Sequence, residues 1–263
     1  MHSRLCITRS QNAPAFTLVE LLVCIGVMAL LLGLLLPSLK GAAGAGRATQ
    51  CKNNLRQLGI AAANYTALYN AFPCAIRFDN SNGQFKQIAW DWVTTLSGQV
   101  ISPGPLWEFS NNPGEVMQCP DFHGSSTSAG DPYTGYNYNT TYLGGEASFP
   151  AVGWSSVRRG VPLAACRRTS TCVMFGEGGW KSGANKFMRA PGNSENLPLN
   201  LLYAGGQAFR HAGHTHAVCI DGHVADFEHP RKGTLATDPL LMQIMSFSDN
   251  GFLSDDDSLY DPR

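Results

Sequence analysis

The sequence is poor in charge and lacks the short motifs of nucleotide-binding and hydrolytic enzymes. Charged residues make up 14% of the 263 positions, and 19 basic side chains balance 19 acidic ones. Nucleic-acid binding normally needs a basic excess, so this balance argues against it. The chain contains no GxxxxGKS/T phosphate loop, no HExxH zinc motif and no GxSxG elbow. We therefore expect neither an enzyme nor a nucleic-acid partner.

One long apolar run lies near the N-terminus. Residues 16–37 carry a single charged side chain, Glu20, and as a helix these positions would span about 33 Å, enough to cross a bilayer. Residues 1–15 contain Arg4 and Arg9 but no acidic residue. Because basic residues stay on the cytoplasmic side, the pattern predicts a single-pass inner-membrane protein with a cytoplasmic N-terminus and a periplasmic head.

Three interpretations of the apolar run are open. A secretory signal would have a shorter apolar core of about 7–15 residues and a small-residue cleavage site, which residues 37–40 match poorly. A plain signal anchor would explain the length but not Glu20, because a carboxylate inside lipid is costly and usually has a partner. The third interpretation depends on Glu20 and on the segment around it.

The segment AFTLVE, residues 15–20, resembles the processing site of type IV prepilins and type II secretion pseudopilins. The resemblance implies that a prepilin peptidase cuts between Ala15 and Phe16 and that the new N-terminus is methylated. Glu20 is then the fifth mature residue, and Pro37 near the end of the run also fits. Ala15 departs from the glycine that usually precedes the cut. In a filament, Glu20 would pair with the Phe16 ammonium of a neighbour.

The helical pattern continues beyond the apolar run. Leu55, Leu58, Ala62 and Tyr65 recur at spacings of three and four, which predicts one face of an amphipathic helix. We therefore predict a leader over residues 1–15, one long helix over 16–69 that spans the membrane over 16–37, and a head over 70–263. The glycines of residues 41–46 each weaken a helix by about 1 kcal/mol, so we expect it to bend or thin there.

Residues 70–263 alternate short apolar segments with turn-forming residues. Together with the resemblance, this predicts an α+β fold of the type IV pilin kind, with an antiparallel sheet packed on the second half of the long helix. Residues 178–200 read as a long surface loop and the acidic residues 249–263 as a mobile tail. Oxygen ligands of the kind calcium prefers occur in that tail, with a solvated tail as the alternative: Asp249, Asn250, Asp255, Asp256 and Asp257.

Five of the seven histidines fall within residues 211–229. Nine residues separate His211 from Asp221 and Gly222, and this H-X9-DG spacing resembles the C-terminal signature of a large bacterial branch of the prepilin-like proteins. The signature implies membership of that branch but no catalytic step. For His211 we expect a structural hydrogen bond to a neighbouring loop.

An Asp-Gly pair between alternating strands predicts a two-residue type I′ turn at 221–222. The residue numbers of each cross-strand pair would then sum to 443. In this register His214, His216 and His229 would share one face of the hairpin. Such a trio could bind zinc; the alternative is a hairpin that packs on the helix through its apolar side chains. Six cysteines lie in the head, and Cys51–Cys74 or Cys166–Cys172 are candidate disulfides among fifteen pairings.

These features favour a structural role. We expect a pseudopilin-like subunit of a type II secretion or type IV pilus-like assembly, with the prepilin peptidase, other pilin-like subunits and the inner membrane as partners. The alternative is a membrane-anchored periplasmic binding protein, or a metal-dependent enzyme that uses His214, His216 and His229. We expect no cofactor, apart from the zinc or calcium that these side chains could hold.

Overall fold

The computed structural model describes residues 17–80, 83–108, 113–116, 118–124, 135–145, 160–181, 183–193, 205–232 and 249–263. The predicted cleavage junction, Ala15–Phe16, lies outside these residues. The long N-terminal helix and the antiparallel sheets confirm the predicted α+β architecture, which is like that of a type IV pilin. The elements are α1 (Leu18–Tyr69), β1 (Ile76–Asp79), β2 (Lys86–Ala89), β3 (Trp92–Thr95), β4 (Val100–Pro103), α2 (Pro113–Val116), β5 (Tyr136–Asn139), β6 (Val173–Gly179), β7 (Phe187–Met188), β8 (Gly206–Ala208), β9 (His214–Cys219), β10 (Val224–Glu228) and β11 (Asn250–Gly251).

The first turn of α1 is held by a capping box. The backbone N–H and the hydroxyl of Thr17 each donate to Glu20 Oε2 at 2.8 Å, and the Glu20 N–H donates to Thr17 Oγ1 at 3.2 Å. This reciprocal pattern satisfies backbone donors that have no partner within a helix. Glu20 therefore stabilises the start of its own helix, and a glutamine could do the same.

The chain forms two compact units, Met1–Gly44 and Ala45–Arg263. In the first unit, every side chain from residue 17 to residue 43 is exposed, although most are apolar. An 18-residue window of α1 reaches a mean hydropathy of 2.7, so the helix is long and apolar enough to be a single membrane span or signal anchor. A surface of this kind is normally covered by lipid or by another protein.

The helix is not interrupted near residues 37–46, where the sequence predicts that it bends or thins. Every residue from Leu18 to Tyr69 is helical, including Pro37 and the glycines that follow it. Pro37 removes one backbone donor, and the Ser38 hydroxyl donates to the Leu35 carbonyl at 2.8 Å beside it. The leucines and alanines around these positions have high helix propensity, which is enough to carry the helix through.

In the second unit, α1 buries the face that the sequence predicts. Cys51, Leu55, Leu58 and Ala62 are fully buried and join one hydrophobic core with β6 and β9. Gly59 allows the close approach of the helix to the sheet, because a Cβ there would lie 3.0 Å from Val218 Cγ2. The amphipathic half of α1 is thus part of the core of the head.

The described strands form two sheets. The first has the order β1-β2-β3-β4 and is antiparallel throughout. The second has the order β10-β9-β6-β5-β7, and β8 pairs with both β6 and β11. Its pairs are antiparallel except β5 with β7. Every residue of β6 is buried, so the sequence segment that ends in Glu177 lies at the centre of the head.

The predicted surface loop at residues 178–200 is wrong where the structure describes it. Residues 184–191 are buried and include β7. Lys186 Nζ lies 3.1 Å from Asp91 Oδ1, with the two side chains only 2% and 1% exposed. Arg189 is also buried. The hydrophilic side chains of this segment suggested a surface position. No local pattern indicated that Lys186 is buried, because its partner Asp91 lies far away in the chain.

The expected mobile tail is also wrong. Strand β11 pairs with β8, and Phe252, Leu253 and Tyr260 belong to a second hydrophobic cluster. The Tyr260 hydroxyl accepts a hydrogen bond from the Leu253 N–H at 2.9 Å and lies 3.2 Å from Gln207 Oε1. Three apolar side chains among many acidic ones are sufficient to anchor residues 249–263.

The hairpin of β9 and β10 has a different register from the one predicted. Val218 pairs with Val224 and His216 with Asp226, so paired residues sum to 442. The loop has three residues, closed by the Gly222 N–H donating to the Cys219 carbonyl at 2.9 Å, and only Gly222 has a positive φ, of 91°. An Asp-Gly pair fits this bulged turn as well as a two-residue turn, because both need glycine in a left-handed conformation.

A two-residue turn occurs one hairpin earlier instead. Ala212 and Gly213 have φ values of 54° and 87°, and His211 and His214 exchange two backbone hydrogen bonds of 3.1 Å. Two positive φ values are the mark of a type I′ turn. This turn connects His211 to the start of β9, and Asp221 lies just beyond the other end of β9.

Candidate functional site

Four side chains from separate parts of the head meet in its interior. Cys51 lies on α1 and Glu177 lies in β6. Cys119 directly follows Gln118, which forms an isolated β-bridge with Gly135. His211 precedes the type I′ turn at residues 212–213. Their potential ligand atoms all lie within 4.8 Å of one another, and all four residues are buried. We call Cys51, Cys119, Glu177 and His211 the Cys-Glu-His cluster.

Backbone contacts fix the segment that carries Cys119. The Asn54 side chain on α1 donates to the Gln118 carbonyl at 3.1 Å. Gln118 forms an isolated bridge with Gly135, which has a φ of 135°. A Cβ at Gly135 would lie 3.0 Å from Cys119 Cβ, so glycine permits the close approach. Cys119 is therefore held against the helix face that carries Cys51.

The distances within the cluster are those of direct polar contact. Cys51 Sγ lies 3.1 Å from Glu177 Oε1, and His211 Nε2 lies 3.2 Å from the same oxygen. Cys119 Sγ lies 3.8 Å from His211 Nε2. One carboxylate oxygen thus faces a thiol and an imidazole together, with the second sulfur beside the imidazole.

Glu177 is a fully buried carboxylate at the centre of the sheet. Burial alone would raise its pKa, but hydrogen bonds from His211 and His216 outweigh burial and lower the pKa to about 2. His216 contributes both its backbone N–H, at 3.2 Å, and Nδ1, at 2.6 Å, to Oε1. Within the described part of the chain, Oε2 has no hydrogen-bond partner. The cluster therefore holds a negative charge with one free acceptor.

The other three members have shifted protonation as well. Burial opposes the cationic form of His211, yet contacts with Cys119 and Glu177 raise its pKa to about 10. A hydrogen bond from Cys51 lowers the pKa of Cys119 to about 5, against the effect of burial. Burial raises the pKa of the Cys51 thiol. The cluster thus favours a thiolate at Cys119.

Charged side chains surround the cluster on its outer side. Asp121 Oδ2 lies 2.8 Å from His211 Nδ1, and the same carboxylate pairs with Arg47. His216 Nε2 lies 3.1 Å from Asp226 Oδ1. Asp226 in turn pairs with Lys52 at 2.7 Å. Both imidazoles next to Glu177 therefore have a carboxylate at their far nitrogen.

The structure separates the three histidines that the sequence suggested as a zinc site. His214 Nδ1 lies 3.8 Å from Glu228 Oε1, with its side chain 42% exposed. His216 is buried against Glu177, and His229 is exposed with a φ of 60° after β10. The grouping depended on the 443 register, which the observed pairing replaces. Among the described residues, the side chains that could hold a metal are those of the Cys-Glu-His cluster.

The two ends of the H-X9-DG spacing have different positions. His211 is in the Cys-Glu-His cluster, whereas Asp221 and Gly222 form the bulged turn at the other end of β9. Asp221 Oδ1 accepts from the His223 N–H at 3.1 Å, and the Asp221 N–H donates to the Thr169 carbonyl at 3.1 Å. The nine-residue spacing therefore contains strand β9, with the buried His211 before it and the exposed turn at Asp221 and Gly222 after it.

Three of the five tail residues suggested for calcium have side-chain partners within the protein. Asp257 accepts from the Tyr142 hydroxyl and from the Gly192 N–H, each at 2.5 Å. Asp256 caps the short turn that follows it by accepting from the Ser258 N–H at 3.0 Å. Asn250 donates to the Lys181 carbonyl at 2.8 Å. Asn250, Asp256 and Asp257 thus each have a side-chain partner of their own.

The cysteine pairings suggested from the sequence are not present. All the cysteines that the structure describes are free thiols. Cys51 has Cys119 as its neighbour, while the Cys74 thiol donates to the Ile76 carbonyl at 3.1 Å. The sequence reasoning missed Cys119 and Glu177 as site residues. The one available signal was the acidic residue at the end of an apolar strand.

A cavity of about 580 Å³ lies elsewhere in the head. It is bordered by the end of α1 and the first sheet, and the Tyr69 hydroxyl donates to Glu108 Oε2 at 2.9 Å at its edge. Its lining is mainly aromatic and apolar, with Arg77 and Glu108 as the charged side chains.

Residues 42–165 match the model of a family described as a protein of unknown function, DUF1559. The matched range begins in α1 and includes Cys51, Cys119 and the whole first sheet. Neither the curated proteins nor the solved structures contain a match to the chain.

Proposed function

We propose that the chain is a prepilin-like structural subunit of a type II secretion or type IV pilus-like assembly. A prepilin peptidase cuts it between Ala15 and Phe16, and the mature chain stays in the inner membrane with its head in the periplasm. Other pilin-like subunits then pack against its N-terminal helix. The role contains no catalytic step.

The exposed apolar half of α1 carries this proposal. Between residues 17 and 43 no side chain is buried, and Glu20 is the sole acidic residue among them. A surface of this kind is stable only against lipid or against other apolar helices. A membrane anchor that also packs into a filament satisfies both conditions. The match to DUF1559, a family of pilin-like proteins of the prepilin type, agrees with it.

Glu20 has two roles in this account. Within one chain it completes the capping box with Thr17. Between chains, after cleavage, it would pair with the free ammonium at Phe16 of a neighbour. Each charge would then neutralise the other, which lowers the free-energy cost of placing them in lipid. The capping role needs an acceptor side chain only, whereas the pairing role needs a negative charge. Glutamine separates the two, because it can complete a capping box but carries no charge.

The test compares Glu20→Gln with Thr17→Ala in cells that hold a second, differently tagged copy of the chain. Glu20→Gln should insert into the membrane normally but lose co-purification with the other copy by about tenfold or more, since a charge left without a partner in lipid costs about 2.5–3.5 kcal/mol. Thr17→Ala removes the capping box but keeps the charge, and should still co-purify. Normal assembly of Glu20→Gln would refute the proposal.

The cavity beside Tyr69 and Glu108 favours a second candidate, a membrane-anchored periplasmic binding protein. An aromatic cavity with a few charged groups is a usual ligand site. This candidate needs the anchor but no contact between subunits. It therefore predicts that Glu20→Gln and the wild-type protein behave alike in the same experiment.

A further inference from the structure

We propose that the Cys-Glu-His cluster is a binding site for zinc or a similar tetrahedral divalent cation. The ligands would be Cys51 Sγ, Cys119 Sγ, Glu177 Oε1 and His211 Nε2. The site goes beyond the proposed assembly role, which depends on the N-terminal part of α1 and not on the interior of the head.

The geometry of the four atoms suits a tetrahedral ion. Zinc lies about 2.3 Å from sulfur and about 2.0–2.2 Å from nitrogen or oxygen, so neighbouring ligands of one ion are about 3.3–3.8 Å apart. The measured separations are 3.1 Å for Cys51–Glu177, 3.2 Å for His211–Glu177 and 3.8 Å for Cys119–His211. No pair of the four ligand atoms is farther apart than 4.8 Å. Side-chain shifts of about 1 Å or less would close the shell.

The chemistry of the ligands points to the same class of ion. Two thiols, an imidazole and a carboxylate are ligands of zinc, whereas calcium and magnesium prefer oxygen alone. Binding would displace any protons from the two sulfurs and from His211 Nε2, because only deprotonated groups coordinate. The ion would also neutralise Glu177, a buried carboxylate whose Oε2 lacks a partner among the described residues.

The outer contacts supply independent support. A histidine that binds a metal usually presents its other ring nitrogen to a carboxylate or carbonyl group, which fixes the ring and raises its basicity. His211 has Asp121 Oδ2 at 2.8 Å from Nδ1, which leaves Nε2 to face the two sulfurs and Glu177. His216 holds the Glu177 carboxylate from the side. The side chains around the cluster are thus arranged as the supporting layer of a metal site.

The site would be structural and not catalytic. All four coordination positions come from the protein, and all four residues are buried, so no open position remains for water or substrate. The ligands lie on α1, on β6 and on two loops whose residues are far apart in the sequence. A bound ion would therefore join the helix to the sheet and to the start of the histidine hairpin. His211 of the H-X9-DG spacing would be one of these links.

The same two sulfurs could instead form a disulfide, which would abolish the metal site. The experiment therefore uses the full chain, extracted from its own membrane with detergent and without chelator, and separates the two outcomes. Intact mass and peptide mapping under non-reducing conditions report the oxidation state. Elemental analysis reports the metal content. We expect reduced Cys51 and Cys119 and about one zinc ion per chain.

Variants assign the metal to the site. Cys119→Ser and His211→Gln should lower the bound zinc to about a tenth or less of the wild-type content, since each removes one of four ligands. Cys219→Ser and His214→Gln are the matched controls and should keep it, because both residues lie outside the cluster. Replacement of zinc by cobalt should give the visible absorption of a thiolate-bound tetrahedral ion in the wild-type chain and in the controls.

A variant that fails to fold would lose zinc for a trivial reason, so alkylation of the wild-type chain provides a second test. Zinc should protect two thiols that become reactive after chelation, and peptide mapping should identify them as Cys51 and Cys119. A disulfide between these two residues in the native protein, a wild-type chain without metal after zinc loading, or protection of other thiols would overturn the proposal.

Discussion

His211 Nδ1 lies 2.8 Å from Asp121 Oδ2, and Asp121 pairs on its other side with Arg47 of α1. The two side chains form an ion pair, with His211 4% and Asp121 17% exposed. Through it, an exposed cation on the helix is connected to an imidazole in the core. The orientation of His211 therefore depends on a carboxylate that itself touches none of the other cluster members.

Asp121→Asn should weaken zinc binding without removing a ligand. Loss of a carboxylate behind a metal-binding histidine typically lowers affinity by about 10–100-fold, because the imidazole becomes less basic and less well oriented. Competition with a chelator of known affinity would measure the effect on the full chain in detergent.

Asp226→Asn is the matched control for that experiment. Asp226 contacts His216, which is not among the four ligands, so the affinity should stay close to that of the wild-type chain. Equal losses in Asp121→Asn and Asp226→Asn would contradict the specific role of the Asp121–His211 contact.

Lys186→Met should strongly destabilise the head. Lys186 and Asp91 are almost completely buried, and removal of one partner leaves a buried charge, which typically costs about 3–5 kcal/mol. Denaturant unfolding in detergent, followed by tryptophan fluorescence, would measure the change. The double variant with Asp91→Asn should be more stable than Lys186→Met alone, since no charge is left behind. If the double variant loses as much unfolding free energy as the two single variants added together, this view is contradicted.

Gly222→Ala should destabilise the hairpin by about 1–2 kcal/mol, because Gly222 has a φ of 91° and side chains rarely adopt that conformation. The cause is the backbone alone, since a Cβ there would meet nothing within 4 Å. Thermal unfolding would measure it.

Ala212→Gly is the converse change at the other turn. Ala212 already has a φ of 54° without the freedom of glycine, so glycine should leave stability unchanged or raise it by up to about 1 kcal/mol. A loss of stability in Ala212→Gly would contradict the assignment of a type I′ turn at 212–213.

The buried thiol of Cys219 should cause the free energy of unfolding of the head to fall as the pH rises above 9. Burial raises its pKa to about 12 from an ordinary value of 9.0. Between these values the unfolded chain loses the proton and the folded chain keeps it, so stability should fall above pH 9 by about 1.4 kcal/mol per pH unit. Cys219→Ala should lack this part of the slope. Parallel stability curves for the two proteins between pH 8 and 10.5 would contradict the predicted titration.

Local patterns in the sequence predicted the architecture well. The apolar run and the spacing of Leu55 and Leu58 agree with the observed helix and its buried face. These patterns reflect the period of a helix or strand against a single buried face, which neighbouring residues determine. The hairpin at 221–222 was also expected, but its register was wrong because the Asp-Gly pair is compatible with two turns of different length.

The interior site could not be predicted in the same way. Cys51, Cys119, Glu177 and His211 are separated by 34 or more positions, so no spacing indicates that they meet. The charged residues near Lys186 were assigned to the surface because their buried partner, Asp91, is 95 positions away. Both errors concern contacts made by the folding of distant segments, which single-sequence patterns do not report.

The mass of the mature protein tests the assembly account most directly. Chain purified from its own membrane should begin at Phe16, with or without one N-methyl group, as read by intact mass and N-terminal peptide sequencing. Cleavage at that bond frees the ammonium that Glu20 needs as a partner. A mature chain that retains Met1 and residues 1–15 would contradict the account.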